Sequence, residues 1–410
     1  MSKSLRTRVE SGYLGPQAYI SNDLLSLMVM PPIGGRVMEL SLGPKNLLYV
    51  NPRYGHKAGD ATPTHGEWKN YGGSKVWPAP QGWSSENEWP GPPDAILDSG
   101  PYAFEVWSDG SRAFINLKSE HDEYSGVTLE RTIELRSGSA IVRLHHKMRN
   151  TSQRRIRWSI WQVTQVDAAN GLDVFMLGKG FHQTFGNEPY TGMAHGLANR
   201  RIHLRYEDQV AKFAVEAEQG WLASLDVARE LVLAETFPIT AGADYPDGGP
   251  VAFWVSGKGT FTLHGDTVDM SVGANGCDPH VETEIMGPLT SLAPGETSEF
   301  HTEWRVAAIN AQEIISVDDC CAIGQRLAIT DSSTRVTGAF GVFYTGRLQL
   351  AFFDRASVKI RTLDLGEVTP LNPVVLNESI SLPANAVRCS LRLFDNTNQR
   401  LGTLDHAHIR

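Results

Sequence analysis

The chain has 410 residues, too many for one ordinary core, and its 41% hydrophobic and 20% charged residues are ordinary globular usage. A net charge of −9, with no lysine or arginine run longer than two, excludes the electrostatic footprint of a nucleic-acid binder. No apolar run approaches the ~18 residues of a membrane span. No apolar stretch follows the basic start Met1 to Arg8, so the expected location is cytoplasmic. Cys277, Cys320, Cys321 and Cys389 form no CxxC pair, and free reduced thiols are expected.

Glycine (39) and proline (22) are spread along the whole chain, which suits many short strands better than long helices. Gly34-Gly35-Arg36 comes first, offering either a turn or a guanidinium beside a bound hydroxyl. The stretch Thr64 to Tyr102 follows. It holds Trp68, Trp77, Trp83 and Trp89, with Gly72-Gly73, Pro78, Pro80, Pro90, Pro92 and Pro93 between them. Such a broken segment is not expected to be a regular central strand. Its indoles either line a cleft at one mouth of a sandwich or plug loops onto the core. Tyr71 and Lys75 lie within it as candidate ligand contacts.

Val127 to Leu135 and Val142 to Met148 alternate around the turn Ser137-Gly138-Ser139, a hairpin with one buried face. His146 falls on that apolar face and reads as a core histidine. Trp158 to Thr164, Arg201 to Tyr206, Val251 to Val255 and His280 to Met286 alternate similarly. Trp161 and Gln165 share one strand face, and Trp158 and Gln162 the other. One pair therefore packs while the other meets a cavity. Tyr245-Pro-Asp247-Gly-Gly is a tight turn from which Asp247 can reach a cleft.

A period of two puts His280, Glu282, Glu284 and Met286 on one face, with the two carboxylates ~6–7 Å apart at Cα. Each carboxylate raises the pKa of the other, so one can serve as a base while its neighbour holds a proton. Two ordinary glutamates on a solvated face, or a metal site built on His280, are the alternatives. Ala311 to Cys321 is the best candidate for a short helix. All ten tryptophans lie at or before Trp304. The expected organisation is a large β-sandwich over 1–310, a connector over 311–334, and a small β-sandwich over 335–410.

Several motifs carry a resemblance. Val281-Glu-Thr-Glu284, Leu292-Ala-Pro-Gly-Glu296 and Trp304 resemble the C-terminal end of aldose 1-epimerases. Gly72-Gly-Ser-Lys-Val-Trp77-Pro resembles a segment of the hexose-6-phosphate branch. Gly72 to Pro80, Trp161 to Gln165 and Tyr245 to Gly249, in that order, resemble an uncharacterised bacterial family of the galactose-mutarotase-like superfamily. The resemblance implies an all-β antiparallel supersandwich with a carbohydrate-sized groove over residues ~20–307. It implies Glu282 as base, with Glu284 or His65 as acid, because Trp161 and Gln165 stand where an epimerase carries its acid histidine. Arg36, Tyr71, Lys75, Trp77, Trp83, Trp89, Trp161, Gln165 and Asp247 are the implied ligand contacts, with no cofactor and no metal. A sugar isomerase, a non-catalytic sugar-binding protein and a lyase using Arg36 and Lys75 to neutralise a uronate are the competing readings.

Overall fold

The computed structural model describes residues 5–54, 69–263, 265–270, 278–330 and 335–409. Within them, antiparallel hydrogen bonding joins twenty strands, from Arg6–Gly12 to Thr297–Ala308, into one sheet that folds on itself. Alternation is the cause. In the hairpin of Val127–Arg136 and Ile141–Asn150, Leu129, Ile133, Leu135, Val142, Leu144 and Met148 are all buried. Their odd-numbered partners on the second strand, Arg143, His145 and Lys147, stay at the surface side. The class expected from the sequence, an all-β supersandwich with a small second β-sandwich, is the one observed. No described helix is long and apolar enough to cross a membrane.

The second sandwich pairs two four-stranded sheets around Ile323, Phe340, Leu350, Phe352, Leu391 and Leu393. It begins earlier than position 335. Ser316–Val317 and Cys321–Thr330, within the stretch read as a connector, are strands of its first sheet. The helix expected over Ala311 to Cys321 is absent. Ile314, Val317 and Cys320 are buried at a spacing that mimics a helix. However, Asp318 N–H donates to the Cys321 carbonyl (2.8 Å) and closes a tight hairpin instead. A further apolar cluster, with Phe175, Trp221, Val232, Ile309, Ile314 and Phe343, joins this sandwich to the large sheet. Cys320, Cys321 and Cys389 are free and buried; Cys277 lies outside the described residues.

Five strands position the site. Ser74–Ala79 pairs with Ile156–Asp167, which pairs with His280–Met286, then Val251–Ser256, then Ala211–Asp226. Ser74–Ala79 is thus a strand, but not a central one, in keeping with the expectation for a proline-broken segment. Its far edge is paired at one position only, Ser74 with Val37, so Pro78 removes no ladder hydrogen bond there.

The reverse face of these strands carries a buried polar network that the sequence did not announce. Glu235 is fully buried and accepts hydrogen bonds from Gln162 Nε2 (3.0 Å), Thr164 Oγ1 (3.1 Å), Trp304 Nε1 (3.1 Å) and Thr283 Oγ1. His146, the expected core histidine, is buried beside it and bonds Gln162 Oε1 through Nε2 (2.9 Å). Burial pushes Glu235 up to about 7, over the opposing pull of those four donors. A carboxyl raised above its unfolded value holds its proton more tightly when folded. Its contribution is therefore complete below the unfolded pKa near 4.5 and is lost as pH rises through about 7. Chemical denaturation at pH 5 and pH 8 checks this. Relative to Glu235→Gln, the wild type should lose about 3 kcal/mol across that window, at about 1.4 kcal/mol per unit.

Candidate functional site

The front face of the five strands is the floor of a cavity of about 390 Å³, within the range of small-molecule sites. Register explains its contents. Trp161 lies opposite Trp77 on one side and Met286 on the other; Glu282 lies between Gln165 and Trp254; Lys212 lies opposite Trp254. Period-two alternation then puts Lys75, Trp77, Trp161, His280, Glu282, Glu284, Trp254 and Lys212 on the same face.

Glu282 is anchored through one oxygen. Lys75 Nζ lies 3.3 Å from Oε1, and Gln165 Nε2 donates to the same atom at 2.5 Å. Neither contact uses Oε2. Burial alone would raise Glu282, but Lys75 and then His280 hold it below the usual carboxylate range. Lys75 is itself lowered by burial, which the Glu282 carboxylate opposes.

Glu284 is 1% exposed. Its Oε2 forms an ion pair with Lys212 Nζ at 3.0 Å, and Oε1 has no hydrogen-bond partner among the described residues. Burial pushes it up to about 7; Lys212 opposes the rise and Glu282 adds to it. Burial would lower Lys212, yet Glu284 holds it above its ordinary value. The two shifts run against each other, because a strongly held ammonium favours an ionised Glu284. Glu282 stays ionised, while burial and the neighbouring Glu282 charge let Glu284 take up a proton near neutrality. The two carboxyls share one face and titrate as a coupled system.

The walls are aromatic. Trp77 packs against Trp161 at 5.4 Å and against Trp89 at 5.1 Å. Trp254, Phe185 and Phe261 form a second group, at 5.7–6.3 Å between centroids. Lys75 lies 4.1 Å over the Trp77 ring and Lys212 4.8 Å over Trp161, so each ammonium sits between a carboxylate and an indole. The Nε1 donors of Trp77 and Trp161 and the Oε1 acceptor of Gln165 are buried without partners among the described residues.

Among the candidate residues named above, Lys75, Trp77, Trp83, Trp161, Asp247, Glu282 and Glu284 line the cavity. Trp83 stands at the mouth, 43% exposed. Asp247 reaches it from the Pro246–Gly248 turn with φ 54°, a left-handed conformation that aspartate tolerates better than most residues. Gln165 does not line the cavity but holds Glu282.

Three more of the candidate residues do not line the cavity. Arg36 is fully buried away from the cavity, paired with Asp98 and donating to the Gly72 carbonyl (3.2 Å). Tyr71 packs among Met28, Met30, Ile33 and Met38. Trp89 is 0% exposed, donates to Asp94 Oδ2 (3.1 Å) and backs Trp77. The glycine motifs beside these residues serve packing. A Cβ on Gly34 would meet the Asp98 carbonyl oxygen at 2.2 Å, and one on Gly73 would meet that of Val37 at 2.3 Å. His65 and Trp68 lie outside the described residues.

Lys212, Trp254 and Phe185 are cavity residues that sequence reasoning did not select, and His280, considered there only as a metal ligand, lines the cavity too. His280 shares the Glu282 face, which was visible; its Nδ1 bonds the Asp278 carbonyl (2.8 Å), and its ring stacks on Tyr49 at 4.4 Å. Burial keeps it below its ordinary pKa, so the neutral ring presents Nε2 as an acceptor. The others depend on strand pairings that alternation alone does not reveal.

Solved structures resemble this one in fold. A TPR-domain containing protein from Parabacteroides distasonis is 12% identical, with 74% of this chain and 48% of that one covered and a TM-score of 0.50. This chain therefore spans about half of that protein's length. A galactose mutarotase-like protein from Clostridium acetobutylicum is 11% identical, with 74% and 99% covered (TM-score 0.46). Another from Lactobacillus casei is 11% identical, with 71% and 99% covered (TM-score 0.44). No curated protein matches the chain in sequence. A family profile described as a domain of unknown function, DUF4380, matches residues 16–307, and the chain belongs to that family.

Proposed function

We propose that the cavity binds one uncharged, sugar-sized ring and interconverts its anomers. The observation that carries this reading is the carboxyl pair: Glu282 ionised and held by one oxygen, and Glu284 protonatable, side by side on one strand between aromatic walls. Oε2 of Glu282 would take the proton from the anomeric hydroxyl. The C1–ring-oxygen bond then breaks, and the ring oxygen receives the proton held by Glu284. Rotation about C1–C2 and the reverse transfers close the opposite anomer, leaving both carboxyls as they began.

Charge supports an uncharged ligand. The charged lining residues are Lys75, Lys212, Asp247, Glu282 and Glu284, and both lysines are already paired with carboxylates. Among the described residues, the Trp77 and Trp161 Nε1 donors and the Gln165 Oε1 acceptor are buried without partners, and hydroxyl groups answer both kinds. With Arg36 buried against Asp98, the lyase reading loses half of its carboxylate-neutralising pair.

The test is a calorimetric panel of neutral hexoses and pentoses, sugar phosphates and uronates, with polarimetry on whatever binds. Binding of a neutral sugar and equilibration above the spontaneous rate are expected; binding of phosphates or uronates alone overturns the reading. Trp83→Ala, at the exposed mouth, should weaken binding by about 1 kcal/mol, roughly fivefold. Binding without turnover is the second reading, favoured by Gln165 standing beside Glu282, since an amide cannot act as the proton donor.

A further inference from the structure

On the far side of the large domain, away from the cavity, the hairpin strand Ile141–Asn150 pairs with Thr297–Ala308. Their even-numbered residues, Leu144, His146, Met148, Phe300, Thr302 and Trp304, are buried, so the odd-numbered ones form the outer face. Register places His145 directly opposite His301, with Glu299 opposite Lys147 one step along. The two imidazoles stack at 4.0 Å and 15°. His145 Nε2 is 3.1 Å from Glu299 Oε2, and His301 Nε2 is 4.0 Å from the same oxygen. One ligand atom from each of the three residues lies within 4.8 Å of the others, which no other His, Cys, Asp or Glu group among the described residues achieves.

We propose that His145, Glu299 and His301 form a surface site for a borderline first-row divalent cation, with zinc as the working probe. Bonds of about 2.0–2.2 Å in tetrahedral geometry need donors roughly 3–4 Å apart. The 3.1 Å and 4.0 Å separations already meet this, and small side-chain rotations bring in the rest. Two imidazoles and one carboxylate suit zinc, nickel or copper; calcium and magnesium require oxygen-rich sets. Rigid strands rather than loops carry all three groups, so little ordering opposes binding. The competitor is Lys147, whose Nζ lies 3.7 Å from Glu299 Oε1. That contact uses the other carboxylate oxygen and leaves Oε2 for the metal. Three protein ligands leave a fourth position open, and the ion would pin the last strand of the large sheet to its neighbour.

The experiment uses the untagged full chain, stripped with chelator and titrated with zinc chloride by calorimetry, with thermal unfolding in parallel. One zinc per chain and a rise in Tm are expected. The double variant His145→Ala, His301→Ala should lose both responses, while Glu299→Gln weakens binding at least about tenfold. His182→Ala, at an exposed position elsewhere, should change neither. Unfolding in chelator shows whether each variant keeps the wild-type fold, and the outward direction of all three side chains predicts that it does. Absence of zinc binding by the full chain, or binding and a Tm rise that persist in the double variant, overturns the proposal.

Discussion

Glu282→Gln should lower the rate of anomer interconversion by about 10²–10⁴-fold while leaving ligand affinity within a few fold. The amide keeps the size of the carboxylate and can still accept from Lys75 and Gln165 through its oxygen, but it cannot take a proton. The geometry makes the separation clean. Both anchors meet Oε1, so the change falls on the atom proposed to face the substrate. Glu284→Gln should act differently. It removes the proton that is present below about pH 7, so the activity lost is the acidic side of the pH profile. Initial rates by polarimetry from pH 5 to 9, with affinity measured calorimetrically at each point, check both variants. A Glu282→Gln protein with unchanged turnover would overturn the assignment of Glu282 as the base.

Asp98→Ala should destabilise the protein by about 3–5 kcal/mol, the cost of leaving a buried charge without its partner. Arg36 is 0% exposed and Asp98 is 2% exposed. Removing the carboxylate strands the guanidinium in the interior, with the Gly72 carbonyl and the Asp98 backbone oxygen as its remaining acceptors. Arg36→Met should be milder where the pair is replaced as a whole, in the double variant Arg36→Met, Asp98→Leu, because no charge is then left alone. Urea unfolding of the single and double variants measures the difference. The result separates two roles that sequence cannot separate. A ligand-binding Arg36 would cost affinity with stability intact, whereas the pair seen here costs stability first.

Much of the architecture was legible because a strand's period of two is written directly into residue order. The hairpin of 127–136 and 141–150, the face shared by Glu282 and Glu284, and the core place of His146 all follow from alternation. Trp161 and Gln165 were rightly separated from Trp158 and Gln162 by the same rule. Signals failed where two structures share one pattern. Ile314, Val317 and Cys320 are spaced as a helix would space them, and a hairpin around Asp318 buries them just as well. Pro78 argued against a central strand, and it sits on an edge paired only at Ser74.

The site divides along the same line. Residue order alone determined that Glu282 and Glu284 share a face and that tryptophans cluster before position 90. Tertiary structure decided which of them meet. Lys212 and Trp254 reach the cavity because Val251–Ser256 pairs with both His280–Met286 and Ala211–Asp226, contacts between residues up to 44 positions apart. Arg36 left it because Asp98, sixty-two residues away, offers a buried carboxylate. Alternation is a local property of the chain and survives in the sequence. Pairing between distant strands is selected by the burial and charge balance of the whole fold, and no single segment records it.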